Sequence, residues 1–452
     1  MKLTDLNRHG GIGANCHLIE VGGLRLVVDC GFHPKLSGAA AAPALEFLDE
    51  HEPDAVLVTH CHLDHLGALP MVTRRFPDIP VLMSQPSAML AERLLRNSVN
   101  VMKRERAEKG MTEYPLYTMR EVDATMRRVV PMLFGQPRRM TTGEDEVEIT
   151  FHQAGHVAGA AGIELRYGHQ SAFITGDVQF DAQRVIGGAR FPAKHFDIVV
   201  TETTRGATES RPSGARASEV DRLLVAIDKT IKRGGSVLIP VFALGRMQEI
   251  FVVLNEARQA GRLPDVPIFA AGLGMDICNY FDEITRQTGI TRFHRSVLRD
   301  LRVKPPPRNM RVGRAPSEQG IYVLSSGMLV ENTPSYQFAT GIVGRSEHTV
   351  CFVGYCDPDT PGGQLLATKQ GEVFVFDAAD YQTPVRAHIE QFDMTGHADR
   401  DELLEFALQA DPRAVVLTHG DPPARAWFAE RFAELAPKLK VLDPEPLKSY
   451  DV

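Results

Sequence analysis

The 452-residue sequence has no apolar run long enough to cross a bilayer, and its start, MKLTDLNRHGGIGANCHLIE, lacks the cationic segment and apolar stretch of a leader. A membrane protein is therefore not expected, and the expected location is the cytoplasm. Cysteine is scarce: Cys16, Cys30, Cys61, Cys278, Cys351 and Cys356 are scattered, with no CxxC pair. That spacing fits reduced thiols better than a disulfide framework or a zinc knuckle, so any bound metal must rely on histidine and carboxylate. Positive charge is not in excess either. A formal net charge of −7 argues against a protein that coats nucleic acid by bulk electrostatics. The densest local exception runs from Arg292 through Arg295, Arg299, Arg302, Lys304, Arg308 and Arg311 to Arg314, and it reads as a solvated, irregular surface segment.

What is present is the composition of a globular enzyme, 43% hydrophobic and 24% charged, in a chain long enough for two domains. LRLVVDCG, DAVLVTH, PVLMS, VEITFHQAGH, SAFITGD and FDIVVTE are short strand-like runs, each of which but one ends near a Gly, His or acidic residue. The stretch from Ala88 to Arg127 has helical spacing. After Gly206 the composition shifts to a loop rich in Gly, Ser and Arg. A helix follows, with Ser218 as expected N-cap and Gly234 as expected stop. Strands and helices then alternate through SVLIPVF, VPIFAAG, IYVLSSG and TVCFVGY, the pattern of a second α/β unit with its own parallel sheet. Near the end, a helix from Asp401 to about Ala410 and the strand AVVLTHGD suit a return to the first domain.

The chemistry concentrates in THCHLDHLG, where a strand runs into a turn and offers His60, His62, Asp64 and His65 within six positions. Strand alternation alone would point His60, His62 and Asp64 one way and His65 the other. A loop entering a helix can instead send the first two to one metal and the last two to another. Imidazole and carboxylate suit a zinc ion. His156, Asp177, Glu202, His397 and His419 repeat one arrangement, a hydrophobic strand or small-residue turn followed by an imidazole or carboxylate. Polar groups at strand ends are how α/β enzymes build sites.

HCHLDH resembles the HxHxDH signature of the metallo-β-lactamase superfamily, and nearly the whole chain resembles its β-CASP branch of nucleic-acid hydrolases. The resemblance implies an αββα sandwich interrupted by an inserted α/β domain, with 1–206 and 385–452 forming the sandwich and 207–384 the insert. It implies two Zn²⁺ ions, one held by His60, His62 and His156 and the other by Asp64, His65 and His419, with Asp177 and a hydroxide bridging them. Asp29 would orient ligands. His397 would act as general acid, held by Glu202. In the insert, Gly245 and Arg246 of IPVFALGRMQE and Ser325, Ser326 and Gly327 of SSGML would contact substrate. The implied activity is hydrolysis of single-stranded RNA, internally or from the 5′ end, to 5′-phosphate and 3′-hydroxyl products.

The sequence departs from the family after SSGML, where Val330 to Asn332 replace a glycine pair, and at Thr360 to Gln364, where an arginine expected near substrate is missing. Arg205 stands where relatives tend to carry Tyr. Two other readings are a non-catalytic RNA-binding scaffold subunit, which the full ligand set disfavours, and a small ester or thioester hydrolase, which the insert disfavours. Residual apolar surface on the insert or the tail leaves room for a homodimer, though no periodic seam announces one.

Overall fold

The computed structural model describes residues 1–212, 214–307 and 311–452. It divides into two compact units, the first comprising Met1–Ala182, Gly187–Ser210 and His397–Val452, the second Gln183–Ile186 and Arg211–Gly396.

Two seven-stranded sheets build the first unit. In spatial order one runs through Ser449–Asp451, Lys2–Asp5, His17–Val21, Leu24–Val28, Ala55–Val58, Val81–Ser84 and Val129–Met132. The other runs through Lys440–Leu442, Ala414–Thr418, Ile198–Glu202, Gln170–Ile174, Ala161–Tyr167, Asp145–Gln153 and Arg138–Thr142. Their facing sides share one core, where Leu3, Ile19, Leu26, Leu57 and Leu82 cluster with Ile149, Phe151, Ile163, Leu165 and Val200. Helix Gln85–Lys109 packs on the first sheet and helices Arg400–Gln409 and Pro422–Leu435 on the second. The result is the expected αββα sandwich, interrupted in sequence by the second unit.

Strand direction explains where the polar residues gather. Leu24–Val28, Ala55–Val58 and Val81–Ser84 are mutually parallel in the first sheet. In the second, Gln170–Ile174, Ile198–Glu202 and Ala414–Thr418 are parallel. Central parallel strands are buried on both faces, so their middles are continuous apolar runs such as AVLV, and polar side chains can enter only at their carboxyl ends. Asp29, His60, Asp177, Glu202 and His419 all sit at or just beyond such ends.

The second unit has a five-stranded sheet in the order Ile268–Ala271, Ile321–Leu324, Val237–Pro240, Thr349–Phe352, His388–Gln391, every neighbour parallel. Leu238, Phe269, Tyr322, Leu324, Val350 and Phe352 lie in its core. Its first helix, Ala215–Lys232, begins a turn earlier than expected, with Gly214 rather than Ser218 at the N-cap. Ala215, Arg216 and Ala217 are good helix formers, so the helix extends through the serine cap signal. Gly234 does mark its end, with φ 83°.

The basic run is less irregular than expected. It contains the short helix Ser296–Asp300, and Lys304 bridges to Phe269, adding to the sheet edge. Arg308 lies outside the described residues. All six cysteines are free and buried, and among the described residues no helix is long and apolar enough to cross a membrane.

Candidate metal centre

The HCHLDH segment is shaped by backbone clamps. Beyond strand Ala55–Val58, His62 is the extended N-cap residue (φ −66°, ψ 150°) from which the chain turns into the short helix Leu63–Leu66. Asn15 N donates to Asp64 O (2.9 Å), Cys30 N to His65 O (2.7 Å) and Phe32 N to Leu63 O (2.7 Å). Gly31 is required there, since a Cβ at that position would sit 1.6 Å from the Asp64 carbonyl oxygen. This strand-to-helix turn splits the four residues. His60 and His62 join His156 and Asp177 in one group, while Asp64 and His65 join His419 in another. A third group contains Asp177, Glu202 and His397.

Distances within the groups suit a shared cation. In the first, His62 Nδ1 lies 3.1 Å from His60 Nε2 and 3.1 Å from His156 Nε2. In the second, His65 Nε2 and His419 Nε2 are 3.2 Å apart, and His419 Nε2 is 3.3 Å from Asp64 Oδ2. Ligands at ~2.0–2.1 Å from a tetrahedral zinc stand about 3.3 Å from one another. Asp177 faces both groups: its Oδ2 is 3.7 Å from His60 Nε2 and 3.7 Å from His156 Nε2, and its Oδ1 is 3.5 Å from His65 Nε2 and 3.2 Å from His419 Nδ1. That Oδ1 is buried without a hydrogen-bond donor, as an oxygen awaiting a cation would be.

Tautomers can be read from the surroundings. Asp29 accepts from Thr59 N (2.7 Å) and Thr59 Oγ1 (2.8 Å), and it faces His65 Nδ1 at 2.8 Å. His65 therefore donates from Nδ1 and turns the lone pair of Nε2 to the group. Thr59 Oγ1, having donated to Asp29, accepts from His60 Nδ1 (3.2 Å), with the same effect on His60. Thr204 Oγ1 lies 3.1 Å from His419 Nδ1. Asp29 (φ 60°) and His419 (φ 47°) hold left-handed backbone, uncommon for residues with a side chain.

Electrostatics are consistent with this. Burial, then the field of His65, pushes the His60 imidazole well below its ordinary range, and burial lowers His62 despite the nearby Asp64 and Asp177. Both imidazoles are therefore neutral at physiological pH, the state that metal binding requires. Burial opposes ionisation of Asp64 and Asp177, yet the surrounding histidines outweigh it and hold both carboxyls low. His65 and His397 are likewise disfavoured as cations by burial, but nearby carboxylates prevail. For His397, Glu202 leads, and the imidazole rises to about 9. His397 Nδ1 is 3.0 Å from Glu202 Oε2, Glu202 Oε1 accepts from Val178 N (2.7 Å), and His397 Nε2 lies 3.9 Å from Asp177 Oδ2.

Three buried residues, Asn15, His17 and Asp5, were not singled out by the sequence. Asn15 Nδ2 donates to Asp29 Oδ2 (3.1 Å) and lies 3.2 Å from His65 Nδ1, its Oδ1 is 3.1 Å from His17 Nε2, and His17 Nδ1 is 3.4 Å from Asp5 Oδ1. The chain His65–Asp29–Asn15–His17–Asp5 thus braces the second group from behind. No local pattern signals it, because strand pairing Asp5↔His17 assembles it. Arg205 pairs with Asp399 at 3.1 Å.

The remaining candidates lie in the second unit, at the carboxyl ends of its strands. Gly245 (φ 88°) precedes helix Arg246–Gln259 and donates from its N to Gln248 Oε1 at 2.8 Å. Burial, then the positive Arg216, lowers Arg246 to about 10, which leaves it charged. Ser325, Ser326 and Gly327 follow strand Ile321–Leu324, and Ser326 Oγ accepts from Val330 N at 2.8 Å.

Family models match most of the chain: metallo-β-lactamase superfamily over residues 9–230, β-Casp domain over 247–365, and Zn-dependent metallo-hydrolase RNA specificity domain over 382–441. Integrator complex subunit 11 of Danio rerio is 28% identical over 446 residues, covering 96% of this chain and 71% of that protein. Transcription termination factor FttA of Methanocaldococcus jannaschii is 26% identical over 443 residues, covering 94% and 68%. Endoribonuclease YSH1 of Eremothecium gossypii is 28% identical over 427 residues, covering 91% and 53%. A crystal structure of a protein of unknown function from Enterococcus faecalis V583 shares the fold, with TM-score 0.54, 13% identity and 99% of each chain covered. With the histidine and carboxylate groups where the HCHLDH motif requires them, the chain belongs to the metallo-β-lactamase superfamily, in the branch that carries a β-Casp domain.

Proposed function

We propose that this chain is a two-zinc ribonuclease that hydrolyses phosphodiester bonds of single-stranded RNA. The observation that carries the proposal is Asp177, whose two carboxylate oxygens face different histidine groups in a chain that also matches an RNA specificity domain. His60, His62 and His156 would hold one ion, Asp64, His65 and His419 the other, and Asp177 both. Ions bound there would supply a nucleophile near neutral pH, by lowering the pKa of water toward about 7, and would offset charge on the attacked phosphate.

The chain's own residues do the rest. Asp29 keeps the His65 ring and tautomer fixed. Glu202, itself anchored by Val178 N, holds His397 Nδ1–H and leaves Nε2 on the Asp177 side. A proton delivered from His397 Nε2 to the departing 3′-oxygen would leave a 3′-hydroxyl and a 5′-phosphate. Gly245, Arg246, Ser325, Ser326 and Gly327 would position the RNA backbone, through the guanidinium and through N–H groups at a helix N-terminus. The name Endoribonuclease YSH1 among the relatives supports an RNA-directed reading.

Parallel assays on labelled RNA, single-stranded DNA and a chromogenic ester test the substrate class. Cleavage of RNA with little turnover of the ester is expected, and an enzyme active only on the ester would overturn the proposal. Asn15 offers a finer check. Asn15→Ala removes the donor that steadies Asp29, so zinc affinity of the Asp64, His65 and His419 group should fall about 10–100-fold. Titration against a competing chelator should show one weakened site and one unchanged site.

A further inference from the structure

Of 22 Phe, 9 Tyr and one Trp, only Phe242 (37% exposed) and Tyr355 (55%) stand out as exposed aromatics among the described residues. Both belong to the second unit and both lie at one place in its sheet. Phe242 follows strand Val237–Pro240 by two residues, and Tyr355 follows its neighbour Thr349–Phe352 by three. The strands are parallel with register Val237↔Thr349 and Leu238↔Val350, and carrying that register forward puts Gly354 level with Phe242.

These two strands also flank the switch point of the sheet. The chain leaving Val237–Pro240 passes through helix Arg246–Gln259 to Ile268–Ala271 at one edge, whereas the chain leaving Thr349–Phe352 goes on to His388–Gln391 at the other. Where successive connections diverge, the carboxyl ends of the strands leave a crevice, the usual ligand position of an open parallel sheet.

Phe242 is held firmly on one side, whereas the space beside Gly354 is open. A Cβ on Gly327 would lie 2.8 Å from Phe242 Cδ2 and 3.0 Å from its Cε2, so the ring is seated flush on the Gly327 backbone. Val241 N donates to Leu324 O (2.9 Å) and Met247 N to Phe242 O (3.1 Å), which hold the backbone on either side. A Cβ on Gly354, by contrast, would meet nothing within 4 Å. Four residues beyond Phe242, Arg246 opens its helix with Nη1 buried and lacking a hydrogen-bond partner, a donor suited to a phosphate oxygen.

We infer that Phe242 and Tyr355 form a stacking platform for bases of single-stranded RNA, with Arg246 meeting the adjoining phosphate. The inference rests on the ribonuclease reading and deepens it. Every base has a π face, so a two-ring platform grips a strand without reading its sequence, and it needs unpaired bases. This supplies a physical preference for single strands in a protein whose net charge of −7 gives no general attraction to nucleic acid.

The test compares binding of a fluorescent single-stranded oligoribonucleotide with that of an abasic strand of the same length. Wild-type protein should prefer the base-bearing strand at least about tenfold, and Phe242→Leu with Tyr355→Leu should reduce that preference to near unity. Leucine keeps apolar packing on Gly327 while removing the ring, and an unchanged melting temperature would confirm folding. Tyr355→Phe should bind like wild type, since the ring rather than the hydroxyl is at work. If wild type cleaves RNA and the double leucine variant keeps the full preference, the platform fails while the ribonuclease reading stands. If wild type neither binds nor cleaves RNA, both fail. If the double variant instead dissociates an oligomer seen by light scattering and retains its base preference, the rings belong to a contact between copies and the platform is refuted.

Discussion

Asp177→Asn is expected to abolish RNA cleavage and to lower bound zinc from two ions per chain to one or fewer. Asp177 is 3% exposed, and its two oxygens face the two histidine groups separately, so one substitution damages both. Removing a residue that merely orients a ligand already costs about 10–100-fold in metal affinity, and loss of a shared ligand should exceed that. A fall in kcat/KM of at least about 10³-fold follows, since without both ions neither a nucleophile nor charge compensation remains at neutral pH. The amide is nearly isosteric, so the fold should persist. Elemental analysis and a melting curve on the same sample separate loss of metal from loss of structure.

His397→Ala is expected to produce the opposite pattern, a drop in kcat of about 10²–10⁴-fold with both zinc ions retained. The reason is positional. His397 Nδ1 is bound to Glu202, and Nε2 stands 3.9 Å from Asp177 Oδ2, outside the His60–His62–His156 and Asp64–His65–His419 groups but beside them. Glu202→Gln keeps the imidazole but weakens its hold on the ring and tautomer, so a smaller loss, about 10–100-fold, should result. Equal loss of metal and activity in His397→Ala would assign the residue to metal binding and remove it from proton transfer.

Much of the site is legible in the sequence, for a reason tied to the strands. His60, His62, Asp64 and His65 are covalent neighbours, so their motif survives in one dimension. Asp29, Asp177, Glu202 and His419 each end an apolar parallel strand, and a continuous buried run that stops at a polar group is visible without knowing its partners. The split of HCHLDH between two groups is not fixed by spacing, which fits both an extended and a turned reading, and only the family resemblance implies it. It is decided by three backbone hydrogen bonds from Asn15, Cys30 and Phe32.

What remained hidden depends on distant pairing. Asn15 and His17 look like ordinary residues of a loop and a strand, and they acquire a role only when Asp5 pairs with His17 and Asn15 reaches Asp29. Exposure is equally invisible: Phe242 sits in VFALG like any core aromatic, and only the folded chain shows it exposed just beyond the carboxyl end of a central strand. The early start of helix Ala215–Lys232 shows a smaller effect of the same kind, a cap signal at Ser218 outweighed by the helix formers before it.

The most direct test is cleavage of a 5′-labelled single-stranded RNA by the protein as purified, after chelation, and after restoring zinc, with bound metal measured at each stage. Two zinc ions per chain, cleavage lost with them and regained with them, and products ending in 5′-phosphate and 3′-hydroxyl are the predicted result. Undiminished cleavage by the metal-free protein, or none by the protein carrying two zinc ions, would contradict it.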